Sequence, residues 1–267
     1  MGSSHRKDVW DAGALYEMYV GRWSRLVARE LLQWLAIPAQ KDWLDVGCGT
    51  GVLSQVIFEL GLPNVIKGID SSADFIAYAN AHADRERITY GVGDAQALPI
   101  ESASFDAVVS GLVLNFVPQP ERMVAEMVRV ARPGAAVAVY VWDYAEKMEL
   151  MRYFWDAAVS LDPGAFGLDE GHRFPICKPP LLTQLLEDAG LQKVEGRSIE
   201  ITTRFRDFDD YWSPFLGGQG PAPSYAVSLG DELRGRLREQ IRSSLPIAKD
   251  GSIPLMARAW AVRGRVP

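Results

Sequence analysis

Cysteine is nearly absent: Cys48 and Cys177 are the only two in 267 residues. Two cysteines cannot build a disulfide framework, and such scarcity points to a reducing compartment, the cytoplasm. Histidine is almost as rare, with His5, His82 and His172, and no H-x-x-x-H, C-x-x-C or clustered-carboxylate spacing predicts a metal site. Long apolar runs are missing too. The longest, Ala135 to Trp142, has eight residues, far short of the roughly 20 that a membrane span needs. Positive charge is in deficit, with 28 Lys and Arg against 34 Asp and Glu and a net of −6. That balance repels phosphate backbones and argues against a nucleic-acid partner. The polar start, MGSSHRKD, predicts no signal peptide; its form is that of an expression tag, which would leave His5 uninformative. What is present is ordinary for a globular chain: 48% hydrophobic, 23% charged and 10% aromatic residues. The length predicts one large domain with a smaller appended part, as a monomer or homodimer.

Periodicity supplies the organisation. Trp23, Leu26, Val27, Leu31, Trp34 and Leu35 recur at steps of three and four, an amphipathic helix that Pro38 closes. KDWLDV is a short buried strand running into a glycine cluster. Val52, Leu53, Val56, Ile57 and Leu60 then mark a helix with Gly61 as its stop. NVIKGID is a second strand, followed by a helix capped by Ser71 or Ser72; RITYGV and FDAVVS are the third and fourth strands. Met123, Val124, Met127, Val128 and Ala131 define another helix, ended by a Pro133-Gly134 turn before strand AAVAVYVW. Strand and helix alternating from Trp43 to Tyr140 predict βαβ units and a doubly wound, Rossmann-like α/β sheet. Beyond it the pattern loosens. Residues 146–160 read as a helix, LDPGAFGLDEGHRFP as a loop, 180–189 as a helix, and LQKVEGRSIEIT and IPLMARAWAVRG as strands. Between those strands, GGQGPAP reads as loose chain, and Leu229, Leu233, Leu237, Ile241 and Leu245 as one helix face.

The informative segment is LDVGCGTG, Leu44 to Gly51, at the carboxyl end of the first strand, where open α/β sheets bind ligands. Gly47, Gly49 and Gly51 clear a path for a ligand to the backbone. Asp70, 19 residues after Gly51, ends the second strand where an acid accepts both hydroxyls of a ribose. A dinucleotide motif counted from Gly47 would put its third small residue at Val52, and Asp45 sets negative charge where a diphosphate would lie. A cationic adenosyl ligand suits the loop better than NAD.

LDVGCGTG, with the downstream GID, GDAQALP, FDAVVS and RVARPGA, resembles the class I S-adenosylmethionine-dependent methyltransferases, in the ubiquinone/menaquinone-biosynthesis branch known as type 11. The resemblance covers roughly residues 41–142. It implies a seven-stranded, mostly parallel sheet with an antiparallel last strand and a helical lid, and S-adenosyl-L-methionine as cofactor. It further implies that Asp45, Gly47, Cys48, Gly49 and Gly51 line the methionine and ribose part. Asp70, with Ser71 beside it, would hold the ribose; Asp94 and Ala95 the adenine; and carbonyls at Gly111 and Leu112 the ammonium. Tyr16, Arg22 and Trp23 fall where related enzymes bring a helix over the cofactor, and Arg22 would pair with the methionine carboxylate.

The expected division is residues 1–40 as covering helices, 41–200 with 251–267 as the cofactor domain, and 201–250 as an aromatic lid holding Phe205, Phe208, Tyr211, Trp212 and Phe215. The expected activity is methylation of a small organic acceptor, with no general base identifiable: Cys48 reads as a filler and His172 as a solvated loop residue. Asn115-Phe116-Val117-Pro118 follows the fourth strand without the order of an Asn-Pro-Pro-aromatic motif, which disfavours nucleobase or glutamine nitrogen as acceptor. An NAD(P)-dependent oxidoreductase and a non-catalytic cofactor-binding protein remain the alternatives.

Overall fold

Short runs of β-branched and aliphatic residues become strands here because helices cover the sheet they form. The computed structural model describes residues 17–83, 87–218 and 220–267. After a π-helical turn at Glu17–Gly21, the elements are α1 (Arg22–Leu35), β1 (Asp42–Val46), α2 (Val52–Gly61), β2 (Val65–Asp70), α3 (Ala73–His82), β3 (Ile88–Val92), β4 (Phe105–Gly111), α4 (Pro120–Val130) and β5 (Ala131–Trp142). The second half continues with α5 (Glu149–Leu161), α6 (Glu170–Arg173), α7 (Pro179–Asp188), β6 (Gln192–Phe205), α8 (Phe208–Trp212), α9 (Pro221–Ser228), α10 (Asp231–Ser244) and β7 (Ile253–Arg265).

The seven strands form one sheet in the order β3-β2-β1-β4-β5-β7-β6. β1 to β5 pair in parallel, and β7 runs antiparallel between β5 and β6. The strand order reverses between β1 and β4, so the loops after these two strands diverge and open a crevice at the carboxyl edge. α1 packs on α2 and reaches β6 and β7, while α4 packs on β4 and β5 and meets α7. The central strands are mostly buried; Val108, Val137, Val139 and Val141 have no solvent-exposed surface.

Several expectations are corrected. Leu26, counted on the core stripe of α1, is 40% exposed, and Ser24, Ala28 and Leu32 share the buried face instead. The stop of α2 is Leu62, in the left-handed conformation, rather than Gly61. Pro133 and Gly134 lie inside the span of β5, where the register with β4 shifts between Phe105 and Ala107. The supposed loop 161–175 contains a 3-10 helix, Pro163–Leu168, and α6. Asp162 and Asp169 cap them by accepting from the N–H groups of Gly164 and Gly171. Residues 221–223, the end of the stretch read as loose chain, begin α9 with a proline in its first turn, where the missing N–H has no helical partner to lose. β6 extends to Phe205, past the expected boundary at 200.

Candidate active site

Four loops converge at the carboxyl edge of the parallel strands. The first leaves β1 through Gly47, Gly49 and Gly51, whose φ values of 72°, 53° and 87° lie in the left-handed region. Gly47 is the most constrained, because a β-carbon there would collide with the Val113 side chain of the loop after β4. The N–H groups of Gly47 and Cys48 both donate to the Ile69 carbonyl, at 2.7 and 3.1 Å, binding this loop to β2. The third loop is joined to the second by Gly93, whose N–H donates to the Asp70 carbonyl at 2.9 Å.

Asp45 sits on β1 with 1% of its surface exposed. Its Oδ2 accepts from the Ser54 hydroxyl at 2.7 Å, and its Oδ1 has no partner. Burial pushes its carboxyl up to about 7; the Ser54 hydroxyl opposes this and the Asp70 charge adds to it. Asp70 accepts from the Gly49 N–H at 2.9 Å through Oδ2 and from the Ser72 N–H at 2.8 Å through Oδ1. Burial raises its carboxyl and these N–H groups pull it back. Each carboxylate oxygen keeps an unused lone pair for a ligand.

The crevice at the turn encloses about 40 Å³ and is lined by Ser24, Asp45, Gly47, Cys48, Gly49, Thr50, Val52, Leu53, Gly111, Leu112 and Tyr140. Asp45 of β1 and Tyr140 of β5, both buried, stand in that lining. Ser71 and Asp94 are exposed and Ala95 half-buried. Asp94 accepts from the Gln96 N–H at 2.8 Å, which holds its carboxyl low.

The structure brings Asp45, Gly47, Cys48, Gly49, Gly111 and Leu112 to one crevice, with Asp70 bonded to its rim. Gly51 stands behind it against Tyr90. Arg22 is elsewhere: its Nη1 meets Asp210 Oδ1 at 3.0 Å, and its guanidinium lies 4.5 and 4.9 Å from the Trp23 and Phe205 rings. Trp23 is buried edge-on to Phe205, at 5.3 Å. The α1 residue that lines the crevice is Ser24. Tyr16 lies outside the described residues. His172 is exposed, with its ring 4.2 Å from Phe166, and His82 stacks on Tyr78. Burial raises the Cys48 thiol well above its usual value, which suits a filler rather than a nucleophile.

Sequence reasoning missed Ser24 and Tyr140, which carry no motif signal of their own, and passed over Thr50 although it stands inside the LDVGCGTG turn. It also missed Glu170, which is 1% exposed and accepts from the Trp155 indole N–H. Burial pushes its carboxyl up to about 8, against the pull of that indole. Among the described residues no cluster of His, Cys, Asp and Glu is arranged to hold a metal, and no helix is long and apolar enough to cross a membrane.

Residues 44–139 match the family model described as a methyltransferase domain. The chain is 32% identical over 123 residues to malonyl-[acyl-carrier protein] O-methyltransferase of Hahella chejuensis, covering 46% of this chain and 44% of that protein. It is 37% identical over 118 residues to demethylmenaquinone methyltransferase of Renibacterium salmoninarum, covering 44% of this chain and 46% of that one. The chain thus spans less than half the length of the curated relatives it matches. Among solved structures, phosphoethanolamine N-methyltransferase 2 of Haemonchus contortus, in complex with S-adenosyl-L-methionine, aligns with a TM-score of 0.59 at 15% identity, over 98% of this chain and 59% of that chain. The strand order, the glycine turn and the matched segment agree: residues 44–139 are a class I methyltransferase domain of the S-adenosylmethionine-dependent kind.

Proposed function

We propose that this protein transfers a methyl group from S-adenosyl-L-methionine to a small organic acceptor, releasing S-adenosyl-L-homocysteine. The observation that carries the reading is the unpartnered Oδ1 of Asp45, buried beside a three-glycine turn where the strand order reverses. An unpaired carboxyl oxygen there suits a cation, and this cofactor brings an ammonium and a sulfonium. A dinucleotide's diphosphate would bring like charge to the same place and be repelled. Asp70 would hold the ribose with its unused lone pairs. Asp94 and Ala95 would meet the adenine, and Gly111 and Leu112 the ammonium, with Cys48 and Ser71 alongside. The buried Asp45 in the crevice and the exposed Asp94 suit a ligand with a charged head held inside and a more open nucleoside.

When bound, the cofactor supplies a methyl group already activated by positive sulfur. The chain's own work is to bind, to align the acceptor behind that methyl group and to exclude water. The aromatic cluster of residues 201–250 supports the last role. Phe205, Phe208, Tyr211, Trp212 and Phe215 are all buried, and Phe215 stacks on Phe154 of α5 at 4.5 Å. That packing joins the expected lid to α5. The two relatives act, by their names, on malonyl-acyl carrier protein and on demethylmenaquinone, so the aligned segment supports the cofactor half, and we assign acceptor choice to the residues outside it. Two buried, unpaired cysteines suit a cytoplasmic protein, and the acidic balance suits a small-molecule acceptor rather than nucleic acid.

The test is a calorimetric titration with S-adenosylhomocysteine, followed by a metabolite panel read for release of the same product from S-adenosylmethionine. Micromolar binding is expected, with at least one acceptor turned over. No heat and no thermal shift would remove the reading.

A further inference from the structure

Of the seven buried residues of α1, six are Trp, Val, Ala or Leu; the seventh is Ser24, 4% exposed. A helix facing a sheet has no packing use for a hydroxyl, and alanine would form the helix better. The Ser24 hydroxyl donates to the Val20 carbonyl at 3.1 Å, so its one proton is engaged. Its oxygen also carries two lone pairs. Ser24 lines the crevice together with Asp45, whose Oδ1 has no partner.

The same lining is poor in free donors. The N–H groups of Gly47 and Cys48 donate to the Ile69 carbonyl, that of Gly49 to Asp70, and that of Leu112 to the Tyr140 carbonyl at 2.8 Å. Ser24 and an ionised Asp45 therefore face the crevice as acceptors. Their complement is a group that only donates, and an ammonium has a positive charge and three N–H bonds to give. Ser24 is held in place by its own helix. On one side of it Arg22 is tied to Asp210 and Trp23 lies against Phe205. At the far end of α1, Arg263 donates to the Trp34 and Leu35 carbonyls.

We propose that Ser24 is a cofactor-binding residue, whose Oγ accepts from the ammonium of S-adenosyl-L-methionine beside Asp45 Oδ1 and the Gly111 carbonyl. Acceptors from three elements, α1, β1 and β4, then meet the three N–H bonds of one ammonium. The inference rests on the methyltransferase reading and deepens it, because α1 lies outside the matched segment, residues 44–139. The first helix thereby belongs to the binding site and not only to its cover.

Three matched ligands test it by calorimetry on the full chain: S-adenosylhomocysteine, its 3-aminopropyl analogue without the carboxylate, and its 3-carboxypropyl analogue without the ammonium. Weak binders are measured by displacement of S-adenosylhomocysteine. Ser24→Ala is expected to weaken the first two by about tenfold and to leave the third within about twofold of the parent. Alanine suits the helix, and a circular dichroism melt checks that the variant folds. A serine that serves only the packing of α1 would weaken all three alike. That result, no loss with any ligand, or a loss confined to the two ligands that keep the carboxylate would each overturn the proposal. Failure of S-adenosylhomocysteine to bind the parent would instead overturn the methyltransferase reading, and this one with it.

Discussion

The carboxyl edge of the parallel strands and the second half of the chain place polar groups differently, although charges elsewhere in the parallel half are matched too, as where Arg132 meets Asp42 and Asp106. In the parallel half, residues 42–142, the site is made of backbone turns and of carboxyls that are left partly unmatched, such as Asp45. In the second half, charges are matched within the fold. Arg258 meets Asp143 and Glu146, Arg152 meets Asp169 at 2.7 Å, and Arg22 crosses from α1 to Asp210. A region built to hold a ligand keeps hydrogen-bonding capacity in reserve, whereas one built to cover it spends that capacity on itself. Glu170 is an exception in the second half, a buried acid that accepts from one indole N–H, that of Trp155.

The comparison breaks most readily at its glycines. Gly47→Ala is expected to cost about 2–5 kcal/mol, from the left-handed backbone and the collision with Val113. Calorimetry should then find S-adenosylhomocysteine binding weakened more than a hundredfold or lost. Glu170→Gln should act on stability alone, and in a pH-dependent way. The folded carboxyl titrates near 8 against an ordinary 4.5, so the folded state holds the extra proton between those values. Parent stability should fall as pH rises through that window, by at most about 1.4 kcal/mol per pH unit, and level off above it. The glutamine variant, melted at pH 5 and pH 9, should lose that part of the slope and be the more stable protein at pH 9.

Asp70→Ala should lower S-adenosylhomocysteine affinity by about 1–3 kcal/mol, the worth of hydrogen bonds to a charged group, with folding retained by circular dichroism. Unchanged affinity would separate Asp70 from the ligand and leave it a clamp for Gly49 and Ser72. A smaller effect sharpens the role of Asp45. With its carboxyl near 7, ionisation and cation binding are linked, so affinity for S-adenosylmethionine should rise about tenfold from pH 6 to pH 8. Asp45→Asn should flatten that rise. The smallest effect belongs to the other half. Gly235 lies in α10 with open space where a β-carbon would go. Gly235→Ala should therefore add about 0.5–1 kcal/mol of stability and leave cofactor affinity unchanged.

The same contrast explains what could be read in advance. β1, β2, β4 and β5 are mostly buried, so each is legible as a short Val-, Ile-, Leu- or Ala-rich run despite Asp45, Lys67 and Asp106 within them, and the glycine turn after β1 is legible because each of its glycines has a left-handed φ. The second half hides its structure in short capped turns. Asp162 and Asp169 look like loop residues until their side chains are seen accepting from Gly164 and Gly171. Leu26 fits the α1 stripe as well as Leu31 does, and only the packing of α1 against α2 decides that one is exposed and the other buried. Arg22 sits three residues past Tyr19 with no local sign that its partner is 188 residues away. Asn115 was visible as a departure from a motif, but not as a buried side chain whose Nδ2 and Oδ1 both lack partners.

From its order of residues alone this chain determined a parallel α/β sheet, the place of a ligand turn and the sign of charge that turn would welcome. Those follow from local rules, the two-residue and 3.6-residue periods and the conformational freedom of glycine, which act over a few neighbours. Tertiary structure alone decided which acids go unpaired, where Arg22 points, and that Glu170 and Asn115 are closed away from water. Burial and pairing are properties of distant segments brought together, and no window of sequence contains both partners.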